Sequence, residues 1–414
     1  MKKVLTLLVA MVMTMAGQAQ KYVGGDISLL TEYEQRNATY FDYNGTRITD
    51  VLSFMKEQGM NAMRVRLFVD PTKAPQDHRN QGARQDLAYV KALGKRIKTA
   101  GLAFMLDLHY SDTWTDPGKH STPSGWPSTA TELAQRVYDY TVEVLTELNA
   151  DGATPDFIQV GNEVSYGMLW PTGHVYPGGG GQDGGTWQNF AQYIIKGVEA
   201  CHAVCPKAKT VVHVELSHMD NADKFFAQLN QYTTDYDIIG LSYYPYYHGD
   251  ITDFDNALST LESHYPTKGI QIVETGYFHA YYPQDAKYNY TSKWPATEAG
   301  QKQFTADLVT TLNRHSKVTG LYWWWPETCE KGIDWRNAVT PSGWYNAGLW
   351  DNETGRAMSA ITELVKFAPS TAISATKADI PQASPIYDLQ GRPITSRPSV
   401  PGIYVSNGRK VVIR

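Results

Sequence analysis

The fold of this chain is indicated most clearly by Phe157-Ile158-Gln159-Val160-Gly161-Asn162-Glu163. An apolar run of strand length ends there in an amide and a carboxylate, as in a buried strand whose carboxyl end meets a polar site. The stretch Ile270-Gln271-Ile272-Val273-Glu274 has the same form. A glutamate that ends an apolar strand costs desolvation free energy unless it has partners or a function.

Similar short runs alternate with segments of helical periodicity from residue 22 to residue 367. Eight strands alternating with eight helices over about 345 residues is typical of a (β/α)8 TIM barrel. A doubly wound sheet is the main alternative, but it normally carries a glycine-rich phosphate turn after its first strand, and Gly24-Gly25-Asp26 does not match that pattern. The predicted strands are 22–29, 62–69, 103–109, 156–162, 210–216, 237–243, 269–274 and 318–324. The predicted helices are 47–58, 87–99, 133–148, 187–204, 222–229, 253–264, 300–314 and 357–367.

The loops that follow four of the predicted strands are long and rich in aromatic residues, namely 110–126, 166–186, 278–294 and 326–350. In a barrel of this type the carboxyl ends of the strands carry the chemistry. We therefore expect one elaborated, functional face.

Composition excludes several classes of protein. Aromatic residues make up 12% of the chain, charged residues 19%, and the formal net charge is −5. This balance is that of a compact protein, since a disordered chain has few aromatics and a nucleic-acid binder has a basic surplus. The three cysteines, Cys201, Cys205 and Cys329, are expected to be buried thiols.

The two ends of the chain differ from its centre. Residues 1–19 have a basic start, an apolar stretch of thirteen residues and small residues at Gly17-Gln18-Ala19, which predicts a signal peptide and a mature chain from Gln20. The barrel is expected over 20–367, a linker over 368–384, and a small β module of two or three strands over 385–414. That module resembles C-terminal modules of exported Bacteroidetes proteins, which implies a sorting or structural role. No later segment has eighteen apolar residues, so we expect an exported protein without a transmembrane segment, located in the periplasm, at the cell surface or outside the cell.

Glu163 and Glu274 end predicted strands four and seven, which lie nearly opposite each other across a barrel mouth. A purely structural explanation is that each glutamate forms a salt bridge at the rim of the barrel. Glycoside hydrolysis requires such a pair, with one carboxylic acid to protonate the leaving oxygen and one carboxylate to attack or to activate water. Asn162 is placed to bind a sugar hydroxyl. We therefore expect the two glutamates to be catalytic.

Other candidates end neighbouring strands. Arg66, beside Arg64, is expected to pair with a catalytic carboxylate, and His109 to donate to the site, although a barrel ion pair and a buried structural histidine remain alternatives. At the end of strand six a tyrosine of the pair Tyr243-Tyr244 is expected to orient the nucleophile. One of Trp323, Trp324 and Trp325 is expected to form a platform for a sugar ring, with its neighbours packed among the helices.

Metal-binding patterns are poor. His213-Val214-Glu215, with His218 nearby, is the only cluster worth weighing, and no metal or other cofactor is expected. Nucleic acid is not expected as a partner, and the chain is expected to be a monomer.

Several motifs resemble glycoside hydrolase family 53, the endo-β-1,4-galactanases of a large retaining clan of TIM barrels. The match spans residues 22–367, and the strand-three motif is its most specific part. The matching stretches are Gly24–Ser28, Asn61–Leu67, Leu106–Gly118, Gln159–Glu163, Ser242–Tyr246, Val273–Tyr277 and Tyr322–Pro326.

The resemblance implies retaining hydrolysis of the β-1,4-galactan of pectin, with Glu163 as acid/base and Glu274 as nucleophile. It also implies substrate contacts from Arg66, His109, Asp112, Trp114, Asn162, Tyr243 and Trp324. Some bacterial members bind calcium in the loop after strand seven. Here that loop is shorter and tyrosine-rich, with Asp285 and Asn289 as its only obvious ligands, so no calcium is expected there.

Three alternatives stay open at this point. The first is an endo-mannanase or endo-glucanase of the same clan, the second is a glycan-binding barrel without activity, and the third is a metal-dependent hydrolase.

Overall fold

The computed structural model describes residues 20–216 and 218–368 in full, and the backbone of four short strands beyond residue 385. The predicted signal peptide and almost all of the predicted linker lie outside the described residues. No helix in the described part is long and apolar enough to cross a membrane.

Eight parallel strands, β1 to β8, close into a barrel in which each strand pairs with its neighbours in sequence and β1 pairs with β8. The TIM barrel predicted from the alternation of strands and helices is confirmed. The strands are Tyr22–Asp26, Ala62–Leu67, Ala103–Leu108, Phe157–Val160, Lys209–Glu215, Ile238–Tyr243, Gly269–Thr275 and Val318–Trp324.

The helices begin where a side chain can satisfy the free N–H groups of the first turn. Asp50, Asp86, Thr129 and Thr186 each accept from a backbone N–H of the helix that follows. The helices, α1 to α11, are Leu30–Gln35, Val51–Gln58, Gln76–Asn80, Leu87–Thr99, Ala130–Ala150, Trp187–Val204, Asn221–Leu229, Pro245–His248, Ile251–His264, Glu298–Leu312 and Ala360–Leu364.

The helix predicted from residue 47 begins instead at Val51. Arg47–Ile48 pairs antiparallel with Tyr40–Phe41 as a small hairpin. The carboxylate of Asp50 accepts the N–H groups of Leu52 and Ser53, so the helix cannot extend backward through Asp50.

The core has two parts. One fills the space between the strands and the surrounding helices, and the other closes the barrel interior below the mouth. The interior plug consists of Ala62, Met105, Phe157, Val211, Ile238, Val273 and Tyr322. Because it closes the lower barrel, polar side chains of the same strands collect at the opposite, carboxyl end.

Beyond Ala368 four short strands form a separate antiparallel sheet, where two or three were expected. They are Ile386–Tyr387, Pro393–Ile394, Gly402–Ser406 and Arg409–Ile413. The three cysteines are free and buried in the barrel unit.

Candidate active site

A cavity of about 500 Å³ opens at the carboxyl ends of the barrel strands. Both Glu163 and Glu274 line it. So do five of the seven side chains expected to contact substrate, namely Arg66, His109, Trp114, Asn162 and Trp324. The remaining two, Asp112 and Tyr243, lie elsewhere.

Glu163 lies three residues beyond the end of β4, in the left-handed backbone conformation with φ of 46°. This conformation is uncommon for a residue other than glycine and needs support from its surroundings. The Glu163 N–H points at Nδ1 of His213 over 3.3 Å, and its carbonyl lies 3.2 Å from Nε2 of His120. Two buried histidines therefore hold the main chain of Glu163.

Glu274 lies within β7 and is 4% exposed. Its Oε1 is 3.0 Å from Nη1 of Arg64, while its Oε2 accepts from the Tyr244 hydroxyl at 3.1 Å and from the Ser242 hydroxyl at 3.5 Å. Each contact favours the ionised carboxylate.

Arg64 is completely buried and connects four strands. Besides Glu274, its guanidinium donates to Asp26 at 2.8 Å, to Asp107 at 2.7 Å and to Asn162 at 2.8 Å. The planar fork of donors suits several acceptors at once. The cation expected beside a catalytic carboxylate was Arg66. That expectation is wrong, because Arg64 takes the contact.

Arg66 is displaced from this role by its position two residues further along β2. Its Nε lies 3.4 Å from Asp26, and its guanidinium lies over the Trp324 ring at 4.6 Å. The Arg66 side chain therefore forms part of the cavity wall.

The surroundings of the two glutamates shift their pKa values by different amounts. Burial raises the pKa of Glu163 well above its ordinary value, the nearby Glu274 raises it further, and the hydroxyl of Ser242 opposes the rise. Burial also raises the pKa of Glu274, to about 7, but Arg64 and Tyr244 act against it. Because the cation faces only Glu274, Glu163 retains a proton more readily and Glu274 ionises first.

His109 and Asn162 are held by the loop after β3. The Thr115 N–H donates to Nδ1 of His109 at 2.9 Å, so the proton of this histidine is on Nε2, which faces Asp107 at 2.9 Å. The amide of Asn162 donates to the Thr115 carbonyl at 2.8 Å, and its Oδ1 accepts from Arg64. Both side chains reach the cavity in a fixed orientation.

Of the pair Tyr243-Tyr244 it is Tyr244 that lines the cavity, so the expectation for Tyr243 is wrong. Tyr243 is fully buried behind β6, stacks on Phe254 at 3.9 Å and donates to the carbonyl of Gly249. Successive side chains of a strand point to opposite faces. Ser242 and Tyr244 therefore face the barrel mouth, while Tyr243 faces the helices.

Asp112 secures a loop and does not line the cavity, so the expected substrate contact is not found. Its two carboxylate oxygens accept the N–H groups of Asp70 at 3.1 Å and Ser124 at 2.8 Å. These bonds join the loops after β2 and β3. In the cavity the acidic residue from this loop is Asp116.

The tryptophans of the site come from the loop after β3, from the end of β8 and from the loop that follows β8. Trp114 stacks on His78 at 4.3 Å, and Trp324 lies over Arg66. Trp323 packs inside, with its Nε1 donating to the Ala347 carbonyl, whereas Trp325 also lines the cavity. Trp325 was expected among the helices, but its positive φ of 60° turns it off the strand.

Several cavity residues were not singled out as substrate contacts from the sequence. Thr115, Asp116 and Pro117 lie inside the strand-three motif, and Glu215 was weighed only as a metal ligand. The others, which no single motif indicated, are Gln81, Tyr247, His248, Lys287, Pro341 and Trp344.

The histidine and glutamate weighed as metal ligands have other contacts. Nε2 of His213 lies 2.8 Å from the Ser242 hydroxyl, and Oε2 of Glu215 lies 3.8 Å from Nε2 of His248. Among the residues the structure describes, no three acidic, histidine or cysteine side chains are arranged to hold a metal ion.

Comparison with known proteins adds to this geometry. Residues 22–364 match the sequence family described as glycosyl hydrolase family 53. The arabinogalactan endo-β-1,4-galactanase A of Emericella nidulans is 31% identical over 362 residues, covering 80% of this chain and 95% of that protein. The GH53 catalytic domain of Ignisphaera aggregans has a TM-score of 0.72 and 28% identity, covering 83% of this chain and 95% of that one. A structure from a study of two fungal β-1,4-galactanases has a TM-score of 0.70 and 26% identity, covering 84% and 99%.

Proposed function

The chain belongs to glycosyl hydrolase family 53 and is a glycoside hydrolase, and on that premise we propose that it is a secreted, retaining endo-β-1,4-galactanase. The substrate is the β-1,4-galactan of pectin or type I arabinogalactan, cleaved at internal bonds. The observation that carries this proposal is the pair of glutamates in one cavity, of which only Glu274 faces a buried arginine.

In the first step an oxygen of Glu274 bonds to the anomeric carbon, the glycosidic bond breaks, and the proton of Glu163 goes to the leaving oxygen. In the second step Glu163 takes a proton from water, the water oxygen bonds to the anomeric carbon, and the bond to Glu274 breaks. A retaining pair is closer together than an inverting pair. The closer arrangement is supported by the Ser242 hydroxyl, which lies 3.5 Å from Oε2 of Glu274 and also lowers the pKa of Glu163, and by Glu274, which raises the pKa of Glu163.

The walls of the cavity fit a neutral polysaccharide. Trp114, Trp324 and Trp344 offer flat apolar faces, and apolar faces of sugar rings stack on such surfaces. Among the substrate contacts implied by family resemblance, Arg66, His109 and Asn162 supply hydrogen-bond donors at the same cavity.

The reaction is tested with linear β-1,4-galactan, mannan and cellulose oligomers, with sizing of the products over time. A mixture of galacto-oligosaccharides that forms early is expected, and proton NMR should show the β anomer first. Cleavage of mannan or cellulose alone would replace the galactanase proposal with its clan alternatives. Binding of galactan without any product would indicate a glycan-binding barrel, and activity abolished by a chelator would indicate a metal-dependent hydrolase.

The two glutamate roles are tested by azide rescue with an aryl β-galactobioside that has a good leaving group. Glu274→Ala should lose at least about 10³-fold in kcat, and azide should then yield the α-galactosyl azide. Glu163→Ala should instead yield the β-galactosyl azide, because azide attacks the intermediate from the opposite face. The reverse pair of products would exchange the two roles.

We further propose the chain organisation expected from the sequence, with a signal peptide over 1–19, a linker over 368–384 and an appended β module over 385–414. Intact mass of the exported protein should give a mature chain that begins at Gln20, and light scattering should give the mass of a monomer. A retained N-terminus would overturn the export proposal.

A further inference from the structure

Two buried side chains lie against the catalytic glutamates but have no part in the catalytic steps described above. His213 on β5 and Ser242 on β6 are each 0% exposed. The Nε2 atom of His213 lies 2.8 Å from Oγ of Ser242. From there the Ser242 hydroxyl reaches Oε2 of Glu274 at 3.5 Å. It also lowers the pKa of the neighbouring Glu163 carboxyl. The register of the barrel produces this meeting point, because Ser242 pairs with Glu274 on β7.

The proton of His213 can be assigned from its neighbours. The backbone N–H of Glu163, which can only donate, lies 3.3 Å from Nδ1, and Nε2 of Gln159 lies 3.1 Å from the same atom. Oδ1 of Asn162 is also 3.1 Å away, but it already accepts from Arg64 at 2.8 Å. Burial lowers the pKa of His213 well below its ordinary value, so the ring carries one proton. Since Nδ1 accepts, that proton is on Nε2.

This assignment fixes the direction of the next hydrogen bond. The Nε2–H of His213 donates to Oγ of Ser242, so the proton of the Ser242 hydroxyl must go to a different acceptor. The acceptors within its reach are the carboxylates of Glu274 and Glu163. A hydroxyl can rotate between two such acceptors without losing the bond that it receives.

We propose that Ser242 is a positioning residue whose hydroxyl, oriented by His213, donates to whichever catalytic glutamate carries the negative charge. In the free enzyme the ionised residue is Glu274. When Glu274 becomes an ester and Glu163 has given up its proton, the charge is on Glu163, and the hydroxyl turns to it. The Ser242 proton is never transferred. This inference rests on the double displacement under "Proposed function".

The charged and titratable groups around the hydroxyl remain when it is removed. They are Glu163 after β4, His213 and Glu215 on β5, Tyr244 directly after β6, Glu274 on β7 and Arg64 on β2. Ser242→Ala therefore removes one donor from an otherwise intact set of charges.

The test compares wild type, Ser242→Ala and Ser242→Thr in three measurements. The first is the pH dependence of kcat/KM on galactan. The second is kcat for an aryl β-galactobioside with a good leaving group, for which breakdown of the intermediate limits the rate. The third is the thermal midpoint of unfolding.

For Ser242→Ala we expect the acid limb of kcat/KM to move to higher pH by about 0.5–1, because a hydrogen bond to ionised Glu274 is lost. Both kcat/KM on galactan and kcat on the aryl substrate should fall about tenfold, because each step ends with a charge that the hydroxyl stabilises. Ser242→Thr, which keeps the hydroxyl, should restore both values to within about threefold of wild type. If the added methyl prevents folding, Ser242→Cys, a weaker donor of similar size, should lie between wild type and alanine.

An acid limb in Ser242→Ala at the wild-type pH would overturn the proposal, as would a fall in only one of the two rates. A threonine variant that folds but is as slow as alanine would also overturn it and would assign Ser242 a packing role. These outcomes differ from failure of the proposed function, which would appear in wild type as inverted product or as no cleavage of galactan.

Discussion

The Nη1 atom of Arg64 lies 3.0 Å from Oε1 of Glu274, and the barrel encloses both side chains almost completely. The two largest influences on the pKa of Glu163 are burial and the nearby Glu274, and both raise it. This one-sided placement gives the two glutamates different chemistry.

Arg64 should be essential for stability as well as for catalysis. Arg64→Met would leave Asp26, Asp107 and Glu274 buried without their cation, so we expect a loss of about 3–5 kcal/mol in the free energy of unfolding. Arg96→Met is the matched control, because Arg96 pairs with Glu34 at 2.7 Å on the surface and should lose only about 0–1 kcal/mol. Urea unfolding followed by fluorescence measures both. Equal losses in the two variants would contradict the assigned importance of the buried pair.

The pH dependence of kcat/KM should be bell-shaped. Burial raises the pKa of Glu274 to about 7, so protonation of this nucleophile should lower kcat/KM as the pH falls through about 7. The higher pKa of Glu163, raised first by burial and then by Glu274, should set the alkaline limb, where the acid loses its proton.

The limbs can be assigned with Glu163→Gln and an aryl substrate whose leaving group needs no proton. The acid limb should remain and the alkaline limb should disappear. An alkaline limb that persists in this variant would assign it to another group.

Glu163 should also make stability depend on pH. A carboxyl whose pKa is raised by folding contributes stability that is present below its unfolded pKa of about 4.3 and is lost as the pH rises through the folded pKa. Glu163→Gln replaces the carboxyl with an amide that does not ionise, so the variant does not lose this stability as the pH rises. Its thermal midpoint should equal that of wild type near pH 4 and exceed it by at least about 2 °C at pH 7.5.

The matched control is Glu143→Gln, which changes an exposed carboxylate and should leave the thermal midpoint of unfolding nearly unchanged at both pH values. If the difference in thermal midpoint between Glu163→Gln and wild type does not grow with pH, then ionisation of the buried Glu163 carboxyl does not destabilise the fold.

Tyr244 and Tyr243 offer a test with neighbouring residues of the same type. Tyr244→Phe removes the 3.1 Å hydrogen bond to Glu274, so we expect kcat/KM to fall about tenfold and its acid limb to move to higher pH. Tyr243→Phe removes a bond to the Gly249 carbonyl on the far side of the strand. It should lose about 1 kcal/mol of stability and leave kcat/KM at the wild-type value. The opposite pattern would place Tyr243 at the substrate.

The sequence by itself determined the barrel and its two glutamates. Strand runs, helical periodicity and capping residues are local signals, and Phe157–Val160 and Gly269–Thr275 each lead to their glutamate without help from distant residues. The loop motif after β3 and the ends of the other strands likewise indicated Arg66, His109, Trp114, Asn162 and Trp324, all of which line the cavity. The resemblance to family 53 drawn from these motifs is confirmed over residues 22–364.

The tertiary structure alone decided which side chains near these motifs enter the site. Whether Tyr243 or Tyr244 faces the mouth depends on the register of β6 between its neighbours, because one residue of difference reverses the face of every side chain. Whether Arg64 or Arg66 meets Glu274 depends on depth inside the closed barrel, which seven other strands set together. Local sequence carries the period of a strand but not its phase relative to strands a hundred residues away, and that phase is fixed only when the barrel closes.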